Sequence, residues 1–212
     1  APWTGNRLWP WWLSPTNNPR SRYMLQIRIH GRGGQGAVVA SQILSYAFFL
    51  QGGYAQSFPT FGAERRGAPV AAFVRASDCF IDLRCQVTRP SHVLVLSGKL
   101  AESVDVTSGL EEQGLLLINS HKPEEYYRFL ENGHTIRIVD ITGIALRHGL
   151  GSESMPMVNV PILGAFARIS DLLDLQSLEG ALPRFVPAKL EANRAALREA
   201  WETAESLEPA AQ

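Results

Sequence analysis

The chain has 212 residues, 45% of them hydrophobic and 19% charged, a balance that suits one globular domain and excludes disorder over most of its length. Twenty basic side chains oppose twenty acidic ones, so no net field draws the molecule to nucleic acid or to anionic lipid. Cys79 and Cys85 are the only cysteines, too few for a disulfide framework, too far apart for a Cys-x-x-Cys pair, and insufficient to hold an iron–sulfur cluster within this chain alone.

Residues 1–23 read as a separate segment. Trp3, Trp9, Trp11 and Trp12 stand among Pro2, Pro10, Pro15 and Pro19 with neither helical nor strand period. The segment is either a cloning scar or upstream extension, since Met24 opens a good strand, or an arm that docks on a partner subunit. From Leu25 to His30 apolar and other residues alternate as in a strand; Gly31–Gly36 interrupts, and Ala37–Leu50 continues as an apolar helix. Gly53–Gln56 is strand-like, and Val70–Ala76, His92–Leu96, Leu115–Asn119 and Thr135–Val139 are expected strands. Helices are expected at Glu124–Glu131, with Asn132-Gly133 as its stop, at Ile141–His148 and at Val160–Leu173. Pro187–Ser206, rich in Ala, Leu, Glu and Arg with Pro in its first turn, predicts a long terminal helix. The pattern predicts a three-layer, Rossmann-like α/β domain with a mostly parallel sheet over residues 24–207, followed by a tail at 208–212. No apolar run reaches the roughly 20 residues that span a bilayer, and no cleavable leader is evident, so the expected location is the cytoplasm.

Two blocks carry chemical information. His30-Gly-Arg-Gly-Gly-Gln-Gly36 follows a strand and opens a helix, where a glycine turn presents backbone N–H groups to an anion. Gly31, Gly33 and Gly36 satisfy G-x-G-x-x-G, yet no acidic residue stands about 20 positions on at a strand end to hold a ribose. A Gly-Lys-Ser/Thr ending is missing too, which excludes a Walker loop. The same glycines also serve if they only let the helix approach the sheet. The second block, Phe58-Pro-Thr-Phe-Gly-Ala-Glu-Arg-Arg-Gly-Ala-Pro69, is too rich in Pro, Gly and charge for a regular element. Its aromatics and prolines predict a stiff loop acting as interface or site rather than a solvated charged loop.

Together these blocks resemble the gamma subunit of the pyruvate:ferredoxin oxidoreductase class of 2-oxoacid oxidoreductases. The resemblance rests on Ile29–Gly36 and on Phe58–Val70 with Arg75-Ala-Ser77, and more loosely on Pro90–Val95 and Asn159–Phe166. It covers residues from Met24 to about Ser206. It implies an enzyme that cleaves a 2-oxoacid with thiamine diphosphate and Mg2+, passes electrons through iron–sulfur clusters to ferredoxin, and captures the acyl group on coenzyme A. This chain has no Gly-Asp-Gly motif and no cysteine cluster. The resemblance therefore implies that those cofactors belong to alpha, beta and delta-type partner chains, and that this subunit is non-catalytic by itself.

For site residues, the backbone of Gly31, Gly33, Gly34, Gln35 and Gly36 is expected to hold a diphosphate or a partner carboxylate. Arg65 and Arg66 are expected to add charged forks, on a coenzyme A phosphate or on carboxylates of a neighbour. The 17 Arg against 3 Lys fit such use, although codon bias gives the same skew. His30, His92, His121, His134 and His148 have no metal-ligand spacing and read as structural or exposed, with His30 placed to reach a ligand beside the turn. No Gly-x-Ser-x-Gly elbow occurs. Cys79 and Cys85 are expected to be small buried hydrophobes, and Phe48, Phe49, Tyr126, Tyr127 and Phe129 to be core or subunit contacts. Pyruvate is the first substrate expected, with phenylglyoxylate, 2-oxoisovalerate, 2-oxoglutarate and oxalate open. A reading of another class is a free-standing nucleotide- or anion-binding module.

Overall fold

Alternation along Met24–Arg32 (β1) puts Leu25, Ile27 and Ile29 on one face of a sheet and Gln26, Arg28 and His30 on the other. The computed structural model describes residues 24–60, 67–83 and 85–207. The Trp-rich start, Arg65, Arg66 and the tail fall outside them. Beyond β1 the chain runs through Ala37–Leu50 (α1), Tyr54–Pro59 (β2), Pro69–Ser77 (β3), His92–Val95 (β4), Gly98–Ala101 (α2) and Leu115–Asn119 (β5). A 3-10 helix at Glu124–Leu130 precedes Thr135–Val139 (β6) and Ile141–Arg147 (α3). A small hairpin, Gly151–Ser152 (β7) and Met155–Pro156 (β8), leads to Pro161–Ser170 (α4), Leu175–Phe185 (α5) and Leu190–Glu205 (α6).

The main sheet has the order β2-β3-β1-β4-β5-β6. β1, β4, β5 and β6 pair in parallel, and β3 alone runs backwards between β1 and β2. In the parallel part both faces are apolar, as they must be when both are covered. Leu94, Leu96, Leu115 and Leu117 join the side packed by α1, α3, α4, α5 and α6. Val93, Val95, Leu116 and Ile118 pack against Leu100 and Ala101 of α2 and against Tyr127 and Leu130 of the 3-10 helix. The fold is thus the expected three-layer, mostly parallel α/β arrangement, with one thick helical layer and one thin one.

Several expected elements differ in detail. The segment expected as a helix over Glu124–Glu131 is a 3-10 helix that ends at Leu130, before the expected Asn132-Gly133 stop, where Gly133 takes a φ of 76°. The helix expected over Val160–Leu173 stops at Ser170, because Asp171 turns left-handed at φ 53°. A further helix, α5, follows, its first turn capped by the Asp174 carboxylate, which accepts from Ser177 N–H at 2.6 Å. The terminal helix begins at Leu190 rather than in the Pro187 turn, since Lys189 is also left-handed at φ 53°. The ends of the Phe58–Pro69 block are strand: Phe58 and Pro59 close β2, and Pro69 opens β3. Phe48 and Tyr127 are buried while Phe49 and Phe129 are about 60% exposed, at 59% and 60%. Cys79 is only half-buried and Cys85 is exposed, contrary to expectation. They lie beyond β3 in a polar connection, where Cys79 Sγ meets Ser77 Oγ at 3.4 Å and Cys85 Sγ accepts from Arg75 at 3.6 Å.

The thick layer is closed by α4 lying against α6. Gly164 permits this, because a Cβ at that position would collide with the carbonyl oxygen of Leu197 and come within 3.3 Å of Trp201 N. Gly164→Ala is expected to lower unfolding free energy by about 1–3 kcal/mol through overpacking against backbone, read as a shift in the urea midpoint with unchanged slope.

Candidate functional site

The site is built where β1 ends. Gln35 N–H donates to Arg32 O at 2.9 Å and Gln35 Oε1 accepts from Arg32 N–H at 2.8 Å, so one residue closes the turn with both backbone and side chain. Gly34 and Gly36 have φ of 96° and 78°, values that a side chain tolerates poorly. Gly36 is the N-cap of α1, and no side chain caps that helix. The N–H groups of its first turn therefore point out of the end of the helix with the positive end of its dipole. Gly31 matters for packing instead. A Cβ there would sit 3.1 Å from both Ala37 Cβ and Leu96 Cδ1, so its absence lets helix and sheet close behind the turn.

The second sequence block meets the first directly. Gly33 N–H donates to Ala68 O at 2.9 Å, and Gly67 N–H donates back to Gly33 O at 3.1 Å. Arg32 Nη1 donates to Gly67 O at 3.4 Å. The joined turns stand at the carboxyl ends of the parallel strands, beside the step from β1 to β4, where Leu96 N–H donates to His30 O at 2.8 Å. Strand order reverses direction at that step, which is where open α/β sheets hold ligands. Next along the same edge, Asn119 at the end of β5 donates to Leu96 O at 2.8 Å and accepts from Thr142 N–H at 3.0 Å, which ties β4, β5 and α3 together.

A cavity of about 210 Å³ opens beside the turn, lined by Gly34, Gln35 and Gly36 on one side and by Asn159, Asn193 and the Val186–Ala188 connection on another. Asn159 packs so closely on Gly36 that a Cβ there would lie 2.7 Å from its Nδ2. The structure thus brings Gly34, Gln35 and Gly36 together at one mouth and sets Gly31 behind it, while the N–H groups of Gly33 and Gln35, expected to hold an anion, instead donate to Ala68 O and Arg32 O. Asn159 and Asn193 were not singled out as site residues from sequence. The one signal for Asn193 was a poor helix former inside an Ala-, Leu- and Glu-rich helix.

Behind the turn the reverse face of β1 and β3 holds cationic groups. Arg28 donates to Val106 O at 3.0 Å and Ser108 O at 2.7 Å, and burial holds its pKa below the ordinary value, opposed by Asp105. Arg75, 1% exposed, donates to Gln26 Oε1 at 3.3 Å and lies 5.1 Å from the Phe58 ring centroid. His30 is buried beside the turn with Nε2 unpartnered among the described residues. Burial, reinforced by the Arg28 charge and opposed by Asp105, lowers its pKa to about 4. His92, edge-on to Phe166 at 5.6 Å, is lowered to about 4 by burial. His148 Nε2 and Glu199 Oε2 meet at 2.6 Å, and His134 Nδ1 lies 3.1 Å from Glu111 O; His121 is exposed. Among the described residues no three His, Cys, Asp or Glu side chains gather as a metal site. No helix among them is long and apolar enough to cross a membrane.

A mostly parallel sheet whose first strand ends in a glycine turn at a helix N-terminus defines a Rossmann-like α/β domain. Residues 26–203 match the family model described as pyruvate ferredoxin/flavodoxin oxidoreductase. The chain is similar to the common gamma subunit of the pyruvate/ketoisovalerate oxidoreductases of Pyrococcus furiosus, 43% identical over 188 residues, 87% of this chain and 100% of that one. It is 46% identical over 159 residues to the pyruvate synthase subunit PorC of Methanocaldococcus jannaschii, 75% of this chain and 84% of that one. The crystal structure of the pyruvate oxidoreductase subunit PORC of Thermotoga maritima superposes with a TM-score of 0.72 at 36% identity, covering 84% of this chain and 96% of that one. The chain belongs to the pyruvate ferredoxin/flavodoxin oxidoreductase family. Within it, the chain is a gamma subunit of a multi-subunit 2-oxoacid oxidoreductase.

The histidine shifts give a pH dependence. Between pH 6.5 and about 4 the unfolded chain binds protons at His30 and His92 that the native chain does not, so stability present at neutral pH is lost as pH falls through that window. In full, each contributes on the order of 3 kcal/mol. His30→Gln should shrink the fall in unfolding free energy between pH 7 and pH 4 relative to the parent, measured by urea titration at both pH values.

Proposed function

We propose that this chain is the gamma subunit of a coenzyme A-acylating 2-oxoacid:ferredoxin oxidoreductase, with pyruvate the favoured substrate, and that its glycine turn forms one wall of the coenzyme A approach. The observation that carries this reading is the pairing of Gly33 with Gly67 and Ala68 at the step between β1 and β4. It joins the turn that opens the uncapped α1 to the Gly67–Ala68 entry of β3. The donor set suits an anion: backbone N–H groups at a helix start, a cavity of about 210 Å³ and a glycine surface at Gly34 where a Cβ would meet nothing within 4 Å. One dipole end contributes only about 0.3–1 kcal/mol. Tight binding needs several charge-assisted hydrogen bonds, about 1.5–3 kcal/mol each. Arg65 and Arg66 are assigned that part, toward a coenzyme A phosphate or toward carboxylates of a sister chain.

Thiamine diphosphate, Mg2+ and the iron–sulfur clusters are assigned to alpha, beta and delta-type partners, with ferredoxin as acceptor and the cytoplasm as location. Phenylglyoxylate, 2-oxoisovalerate, 2-oxoglutarate and oxalate are the other substrates in the class. The names of the relatives support pyruvate and ketoisovalerate first. Exposed Phe49 and Phe129 are suited to subunit contacts, since large aromatics gain most where water is removed from both faces.

Co-expression with candidate partner genes, native mass measurement and cofactor analysis test the assignment. The expected result is a complex containing this chain, thiamine diphosphate and iron–sulfur clusters. A chain that emerges alone and binds a nucleotide tightly supports the free-standing module instead. Arg65→Ala and Arg66→Ala are expected to raise KM for coenzyme A or to weaken subunit association by about tenfold, equivalent to about 1.4 kcal/mol. Full activity with unaltered subunit stoichiometry in both variants would exclude the role given to them.

A further inference from the structure

Asn193 lies near the start of α6 and is 1% exposed. Its Nδ2 donates to Lys189 O at 3.0 Å, and the same carbonyl accepts from Asn193 N–H at 3.0 Å. That donation fixes which end of the amide is which, so the oxygen is the free end. Oδ1 is buried and has no hydrogen-bond partner among the described residues. Asn193 lines the cavity that Gly34, Gln35 and Gly36 close from the other side. Two local costs meet at this wall, and a third stands at Lys189 beside it. An acceptor is out of water without a donor, Asn stands where Ala or Leu would favour the helix, and Lys189 takes a left-handed φ of 53° that a non-glycine residue rarely adopts. Costs concentrated beside an anion-ready helix end mark a group that is satisfied when the cavity is filled.

We propose that Asn193 Oδ1 is a specificity-determining acceptor for an alcohol or amide donor on the phosphate ester whose phosphoryl oxygens sit on the Gly34–Gly36 turn. The inference rests on the reading of the turn as part of the coenzyme A approach. It adds a group that distinguishes an organic phosphate ester from a bare anion. In coenzyme A the diphosphate is flanked by a ribose on one side and by the hydroxyl and amides of the pantetheine arm on the other, so donors lie within a few bonds of the charge. Asn159, packed on Gly36 at the rim, positions the turn and is not assigned the donor.

The test uses the assembled oxidoreductase with Asn193→Leu, which keeps the side-chain size and removes the acceptor together with the Nδ2 bond to Lys189 O. KM for coenzyme A is expected to rise about tenfold, equivalent to about 1.4 kcal/mol, with kcat at saturating coenzyme A falling less than about threefold. A merely structural Asn193 would move kcat, assembly and thermal stability without this split. An unchanged KM overturns the proposal and leaves the acceptor to a bound water. In that case the Arg65 and Arg66 variants separate two failures: if they still raise KM, only the role of Asn193 falls, and if they do not, the coenzyme A reading falls with it. Should Asn193→Leu not assemble, hydrogen exchange in the parent complex decides. Coenzyme A is expected to slow exchange in residues 186–197 together with residues 33–40, and protection of the turn alone would overturn the proposal.

Discussion

The reciprocal hydrogen bonds between Gly33 and the Gly67–Ala68 backbone hold the site in shape. Without them the turn after β1, closed on itself only through Arg32 and Gln35, would have no tie to the start of β3. With them, the turn after β1 and the Gly67–Ala68 entry to β3 fix one another at the rim of the sheet. Only backbone atoms are involved, so the arrangement depends on conformations that glycine reaches easily, φ 96° at Gly34, 78° at Gly36 and 82° at Gly67. Side-chain chemistry is then added from outside, by Asn159 from the approach to α4 and Asn193 from α6.

The unequal layers explain why the rim is open where it is. Five helices crowd one face, and α4 is pressed onto α6 at Gly164 until backbone meets backbone. The α5–α6 connection, Val186–Ala188, comes back over the start of α1 and forms a wall of the cavity. On the thin side, the polar residues of β1 and β3 are covered by connections rather than by a helix, which is why Arg28 finds its acceptors in the carbonyls of Val106 and Ser108. Burial there disfavours the charged forms of Arg28 and His30.

Much of the fold was legible because the strands carry the period that a two-faced sheet requires: Leu25, Ile27 and Ile29 against Gln26, Arg28 and His30 leave little freedom of register. The helix after the glycine turn was equally plain, with the same ends in sequence and structure. What was not legible depends on tertiary context. Leu175–Phe185 is not among the expected helices; it carries Gly180 and an internal Pro183, and its start is fixed by the Asp174 cap. Lys189 and Asp171 break helices by a backbone state that nothing in their chemistry demands. The cysteines failed the rule that small thiols are buried because they lie in the polar connection after β3. The glycine turn was readable from its spacing as the link between β1 and α1. Asn159 and Asn193 were not, since more than 120 positions separate the turn from either and no period links them.

The reversal of β3 has a consequence for how the rim is held. Because β2 ends and β3 begins at the same edge, Thr60 and Gly67 are both moored to neighbours there, Thr60 N–H to Ala71 O at 2.8 Å and Gly67 N–H to Gly33 O at 3.1 Å. The β1–β3–β2 ladder is therefore pinned on both sides of the reversal, which keeps its register fixed at the rim that carries the glycine turn.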